Sequence, residues 1–366
     1  MFFFIHSNTK NVHTFITITL INMLACTGLL FVWSATYTAE QPISLFFKKQ
    51  AFGVATGTII FFIFSFIDYR QWMKCGYVLY PFTIFLLVFT LIKGSIGLGG
   101  QRWIDLGFTK FQPSEITKLL LPAFATYHLF QENSNKKNSF YFILFTIICS
   151  FLLIRKQPDL GTALIVTFVG LMYCWLAGIG TRFFIIMGFF CIISSPVLWY
   201  FLKPYQKQRI AVFLGDGNNK KEGYQKEQAL IAIGSGGLTG KGLLQGTQNK
   251  LHFLPEGRTD FIFAVLCEEW GLCGAFVVLI LYLLLFCYIT VKICYLENMY
   301  MQLLALGSVL HIFLCTIINI SMVLGMLPIV GIPLPLFSYG ISHLWVTYAS
   351  LGVCNQVCTV KPYYQL

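Results

Sequence analysis

Apolar runs of roughly 18 residues or more recur along the whole chain, and each is long enough to cross about 30 Å of hydrocarbon. Inside a bilayer every backbone N–H and C=O must find its partner within the protein, so such runs fold as helices and not as open strands. The expected fold class is an all-α polytopic membrane protein, one integral membrane unit over residues 1–366. Ten spans are expected, at about 13–34, 49–68, 76–94, 113–130, 139–155, 159–178, 182–202, 260–291, 300–326 and 335–358. The stretch 260–291 is long for one crossing and is expected to tilt or protrude. Residues 1–12 carry no cleavage-site pattern after a signal-like run, so the first span is expected to be retained. Residues 203–259 form the one long loop, between spans 7 and 8, too short and too Gly-rich for an independent core.

Composition narrows the function classes. The chain is 57% hydrophobic and holds only 14 Asp and Glu, so carboxylates near the membrane are expensive unless paired or used. The net charge of +11 would suggest nucleic acid in a soluble protein. In a membrane protein it points instead to lipid phosphate or a phosphorylated lipid, and no nucleic-acid partner is expected. The 12 cysteines sit mostly inside the apolar runs, with no CxxC pair and no metal-ligand spacing with histidine. They read as small membrane residues. Of the scattered histidines, only His252 and His343 lie near unusual loops.

Four segments stand out: Gly97–Gln112, Arg155–Asp159, Lys203–Asp260 and Leu327–Gly340. They follow spans 3, 5, 7 and 9, so with ten spans all four share one face, and both termini lie on the other. Basic residues are balanced between the faces once the long loop is set aside, so the positive-inside rule returns a tie.

Gln112-Pro113-Ser114-Glu115 opens span 4 and Gln157-Pro158-Asp159 opens span 6, each with proline in the first turn, where its missing N–H costs nothing. Thr259-Asp260 opens span 8. Helix capping is the plain reading of each. Together they place three helix N-termini toward one compartment, with Arg102, Lys110, Lys118, Arg155 and Lys156 near in sequence, a setting suited to a diphosphate. Gly234–Gly242 resembles a phosphate loop but fails its pattern at Ser235 and at Gly242, and reads as a flexible or tightly turned substrate-covering loop. Glu268 and Glu269 lie on the Asp260 side of their helix and must be paired or face a polar cavity. Pro333–Gly340 implies a broken or kinked helix entry at span 10.

Seven pieces in order resemble the SEDS (shape, elongation, division and sporulation) family of membrane glycosyltransferases. They are Gln101–Gly107, Phe111–Glu115, Gln157–Thr162, Ile231–Gly237, Gly246-Thr247-Gln248, Leu254–Glu269 and Pro333–Gly340. Gly246-Thr247-Gln248 is more similar to the RodA elongation branch than to the FtsW division branch. The chain departs from the family pattern at Arg258, His252 and Ile341, and in the loop 214–223, which lacks the usual Asp-Pro element.

The resemblance implies polymerisation of lipid II with loss of undecaprenyl diphosphate, by one inverting displacement. Such a step needs a base at the acceptor hydroxyl, and Asp260 is the candidate catalytic residue. Candidate substrate-binding residues are Arg102, Lys110, Gln112, Glu115, Lys118, Asp159, Glu256, Arg258 and Ser338. A divalent cation, Mg²⁺ or Mn²⁺, could help through Glu115 or Asp159, though the sequence does not establish one, and no organic cofactor is expected. The implied setting is a bacterial inner membrane, with the active face extracytoplasmic and both termini cytoplasmic. The implied partners are a class B penicillin-binding protein and other elongation-complex membrane proteins. Two other readings remain open at this point. A lipid-precursor flippase should show internal repeats with paired broken helices near the midplane, and none is evident. A non-catalytic scaffold would be indifferent to Asp260→Asn.

Overall fold

The computed structural model describes residues 2–97, 100–105, 107, 110–130, 136–215, 220–251 and 253–360. His252 and much of the loop 214–223, two of the departures from the family pattern, lie outside the described residues.

Each of the ten expected spans is a helix. In chain order they are α1 (Phe2–Thr36), α2 (Leu45–Phe66), α3 (Tyr69–Lys93), α4 (Pro113–Phe130) and α5 (Lys136–Lys156). These are followed by α6 (Leu160–Leu176), α7 (Thr181–Phe201), α11 (Ile262–Cys294), α12 (Met299–Val323) and α13 (Ile341–Thr359). Six helices among the described residues are long and apolar enough to cross a membrane. Helix α4 is the hub: it packs against α3, α5, α6, α12 and α13, and its polar first turn is buried with the rest. Exposed apolar side chains such as Ile185, Phe189 and Phe190 on α7 suit a lipid-facing surface.

Two expectations need correction. The chain is not all-α: Ser95–Gly97 (β1), Gly100–Asp105 (β2) and Lys110–Phe111 (β3) form a three-stranded antiparallel sheet. Its register pairs Ser95 with Trp103 and Ile104 with Phe111. Outside hydrocarbon, a short Gly-punctuated segment with Ile, Trp and Phe can form a sheet, whose backbone polar groups meet water at its edges. Nor is 203–259 a plain loop, because it folds into α8 (Pro204–Leu214), α9 (Lys220–Gly236) and the single turn α10 (Thr247–Lys250).

The Gly-rich run after α9 is a structural splice. Helix α11 breaks at Gly271 (φ 63°, ψ −161°). There the carbonyls of Glu268 and Glu269 accept from the N–H groups of Lys241 and Gly242, at 3.0 and 2.9 Å. The freed N–H groups of Leu272 and Cys273 donate to Gly237 and Leu238 carbonyls, at 2.9 and 3.0 Å. Two helical hydrogen bonds are thus exchanged for four bonds to the loop, and none of these groups is left unpaired beside the membrane. The break also resolves the length of this segment: Gly271–Cys294 alone reaches about 36 Å, enough for one crossing.

Close backbone approach explains two of the glycines, Gly236 and Gly240. A Cβ on Gly236 would lie 1.9 Å from the Cys267 carbonyl oxygen, and one on Gly240 (φ +79°) 2.1 Å from that of Glu269. Gly240→Ala is therefore expected to destabilise the fold by at least about 1–3 kcal/mol, seen as a lowered midpoint of thermal unfolding in detergent. Gly234→Ala, which meets nothing within 4 Å, should leave that midpoint unchanged or raise it slightly. Equal effects from the two would refute the splice. The carboxylate of Glu268 completes the junction, accepting from Lys241 Nζ (2.7 Å), Thr247 N (2.8 Å) and Gln248 N (3.1 Å). Glu269 takes the Ser34 hydroxyl of α1 at 2.5 Å. Both acidic residues have partners within the protein, those of Glu268 in the loop and that of Glu269 on α1.

Candidate active site

The four unusual segments meet. Arg102 of β2 reaches Asp159, Ser342 at the start of α13 donates to the Lys110 carbonyl at 2.9 Å, and Arg209 of α8 donates to the Val330 carbonyl at 3.4 Å. The parity of the loops thus translates into proximity.

One wall is built by the starts of α4 and α6. The Gln112 amide donates to Asp159 Oδ2 at 2.8 Å and to Ser114 Oγ at 2.9 Å, tying the two helix entries together. Asp159 Oδ1 caps α6 by accepting from Thr162 N at 3.2 Å. Arg102 Nη1 stands 3.7 Å from Asp159 Oδ2, its guanidinium beside the Trp103 ring, while its Nε is buried without a partner. The side chain keeps 20% of its surface exposed, so the rest of the guanidinium can meet an incoming anion.

The opposite wall is the turn Leu254–Phe261. Glu256 adopts a left-handed conformation (φ 55°), and its carbonyl accepts from Thr259 N at 3.1 Å and Phe261 N at 3.3 Å. Its carboxylate accepts the Thr259 hydroxyl at 3.0 Å. The Pro333–Gly340 segment clamps this turn: Ser338 Oγ donates to the Thr259 carbonyl at 2.6 Å, and Tyr339 N to the Arg258 carbonyl at 3.0 Å. The Arg258 guanidinium lies 4.0 Å from the Phe46 ring centroid.

Asp260 sits at the end of this turn, outside α11. It does not cap the helix, because the N-cap position is Phe261 and no side-chain cap is made, so the capping reading is corrected there. Its side chain is half-buried, and among the described residues none donates a hydrogen bond to its carboxylate. Burial, with Glu256 and Asp159 adding repulsion and Arg209 and Arg102 opposing, pushes its carboxyl up to about 7. A carboxyl poised there can exchange a proton near neutral pH.

Not every candidate reaches this pocket. Glu115 and Lys118 lie deeper in α4, 5% and 2% exposed. Lys118 Nζ is 2.7 Å from Glu115 Oε2, and His343 Nδ1 of α13 is 2.9 Å from the same oxygen, a buried triad linking α4 to α13. Ser338 is 2% exposed with its hydroxyl committed to the clamp and to Leu334 N. In this structure these three are placed to support the site and not to touch a substrate. Lys110 is exposed on β3 at the rim. The expected cation ligands fit poorly. Glu115 is saturated by Lys118 and His343, and Asp159 by Gln112, Thr162 and Arg102. No group of three or more His, Cys, Asp or Glu able to hold a metal occurs among the described residues.

Sequence reasoning missed Arg209. Its loop holds many basic residues, and nothing local marks the one that α8 turns toward Asp260. It also missed Gln50 of α2, whose amide donates to the Ser338 carbonyl at 3.0 Å and accepts from Gly340 N at 3.2 Å, fixing the clamp.

Comparisons place this architecture. The chain is 39% identical over 335 residues to the peptidoglycan glycosyltransferase MrdB of Escherichia coli K12, covering 90% of this chain and 89% of that protein. A chain in a solved peptidoglycan synthase complex, described as coordinating polymerization and crosslinking, superposes with a TM-score of 0.79 at 26% identity, covering 93% of this chain and 96% of the other. The rod shape determining protein RodA of Thermus thermophilus superposes with a TM-score of 0.69 at 26% identity, covering 93% and 95%. Residues 13–362 match the family of FtsW, RodA and SpoVE, described as cell cycle protein. With that match running through the whole four-loop cluster, the chain belongs to the FtsW/RodA/SpoVE family.

Proposed function

We propose that this chain is a peptidoglycan glycosyltransferase that polymerises lipid II during cell elongation. The observation that carries the reading is Asp260: a half-buried carboxyl with no hydrogen-bond donor among the described residues, displaced to about 7, and flanked by Arg102 and Arg209 where four loops converge. In the reaction a sugar hydroxyl of one lipid-linked unit attacks the anomeric carbon of another. The new C–O bond forms as the bond to undecaprenyl diphosphate breaks, and Asp260 takes the hydroxyl proton. Charge on the departing diphosphate is met by Arg102 and Arg209 and by the entries of α4 and α6. Gln112 and Asp159 orient Arg102, and Glu256 with Arg258 shapes the Asp260 turn. No step is assigned to a divalent cation, because the carboxylates expected to hold one are committed elsewhere.

In this reading the ten helices at the expected spans cross the bacterial inner membrane, with the termini cytoplasmic and the site extracytoplasmic, where flipped lipid II is found. A class B penicillin-binding protein crosslinks the product. The likeness to a synthase complex that couples polymerization and crosslinking supports that partnership.

The test is incubation of purified full-length chain, with its penicillin-binding partner and the transpeptidase blocked, with lipid II in detergent, read as a glycan ladder on a gel. A ladder supports the reading. Its absence, with lipid II movement across proteoliposomes instead, would establish a flippase. The base must be unprotonated to act, so the rate should rise with pH through about 7 and fall about tenfold per unit below it. A pH-independent rate between 5 and 8 (a range of about three units) would contradict the assignment.

A further inference from the structure

We infer that Asn319 is a positioning residue for polymerisation, holding the Asp260 main chain and the wall facing its carboxylate in one fixed relation. The inference rests on the assignment of Asp260 as base. Asn319 lies near the end of α12 and is fully buried. Its amide nitrogen donates to the Asp260 carbonyl at 2.9 Å and to the Ile332 carbonyl at 2.7 Å. Two acceptors on one side define which end of the amide faces them, since only the NH₂ carries two diverging hydrogens. The amide oxygen is buried with no partner, so the side chain is held by its donors alone.

The two carbonyls belong to the two segments that meet at the carboxylate. Ile332 follows Gly331, which has a left-handed φ of +78°, and a Cβ built there would lie 3.6 Å from Asp260 Oδ2. One side chain therefore sets both the end of the turn before α11, where Asp260 is mounted, and the backbone that Asp260 faces. Neither aspartate, which has no donor when ionised, nor leucine, of similar size, can bridge two carbonyls. Asn319 itself lies outside every motif that the sequence reading singled out, and it is fully buried. Its effect on the reaction passes through Asp260.

The experiment compares wild type, Asn319→Leu and Asp260→Asn as full-length chains with the penicillin-binding partner, after folding is verified by thermal unfolding in detergent. Asn319→Leu is expected to lower kcat about 100-fold, the scale of a small misplacement of a reacting group, with KM within about threefold of wild type. The acidic limb of its pH–rate profile should also move, because the carboxyl shifts relative to Glu256, Arg209 and Arg102. If Asn319→Leu does not fold, Asn319→Ser, smaller and with at most one of the two bonds, is expected to give the same pattern. A kcat within about threefold of wild type would overturn the inference, as would a loss confined to KM or a kcat loss with the pH limb unmoved. Asp260→Asn separates the two levels. If it is inactive beside a wild-type-like Asn319→Leu, this inference alone fails; if it is fully active, the base assignment fails and this inference with it.

Discussion

Asp260→Asn is expected to lower the rate of glycan polymerisation by about 10²–10⁴-fold while leaving the protein folded. The amide has the shape of the carboxyl but cannot accept the hydroxyl proton in the transition state. Loss of folding is not expected. Among the described residues none donates to the carboxylate, so no hydrogen bond is lost. Burial and the nearby Glu256 already disfavour its charge, so a neutral amide should leave thermal unfolding at neutral pH unchanged or raise its midpoint. The sign follows from linkage: a carboxyl raised in the folded state binds its proton more tightly there than in the unfolded chain. Stability from this group is therefore fully present at low pH and is lost as pH rises toward about 7. Activity and stability should respond in opposite directions, which a general folding defect would not produce.

Lys118→Met is expected to destabilise the fold by about 3–5 kcal/mol, for a different reason. Lys118 and Glu115 sit in the first two turns of the hub helix with almost no exposure, and the lysine amine contacts both carboxylate oxygens, at 2.8 and 2.7 Å. Removing it leaves Glu115 buried with His343 as its remaining partner, at 2.9 Å. The penalty is that of an uncompensated charge, so neutralising the carboxylate as well should recover much of the loss. The double variant Glu115→Gln/Lys118→Met is therefore expected to be more stable than Lys118→Met alone, a non-additivity characteristic of residues in contact. Thermal unfolding in detergent reads all three; equal midpoints for wild type and Lys118→Met would show that the triad contributes nothing. A direct diphosphate contact by Lys118 would instead give a folded protein with raised KM.

The parts of this architecture visible in the sequence are those governed by local chemistry. Hydrocarbon length marks each long helix, and Gln112-Pro113 and Gln157-Pro158 mark two helix entries that the Gln112–Asp159 bond then joins. Loop parity places the unusual segments together because each helix returns the chain to the opposite side. What was not legible depends on contacts between distant segments. The glycines at 236 and 240 resemble flexible linker, since the carbonyls they approach, on Cys267 and Glu269, belong to a helix whose break is invisible in its apolar pattern. Glu268 reads as a carboxylate that must be paired or face a cavity, but its partners Lys241, Thr247 and Gln248 are identified only once the loop is folded onto it. The capping reading fails at Asp260 because α11 begins after it, and that freedom from capping is what leaves the carboxylate available. The sheet over 95–111 was hidden by its short strands, and Arg209 by the many cations around it.

The most direct test of the central claim measures formation of the first glycosidic bond. Labelled lipid II is mixed with full-length chain and its transpeptidase-blocked partner at pH 7.5 (about half a unit above the Asp260 carboxyl), and the appearance of the dimeric product is timed for wild type and Asp260→Asn. The structure predicts prompt coupling by wild type, and coupling slowed at least about 100-fold in a folded Asp260→Asn that still binds lipid II. Coupling at the wild-type rate by Asp260→Asn would contradict it, and the base would then have to be sought elsewhere among the four loops.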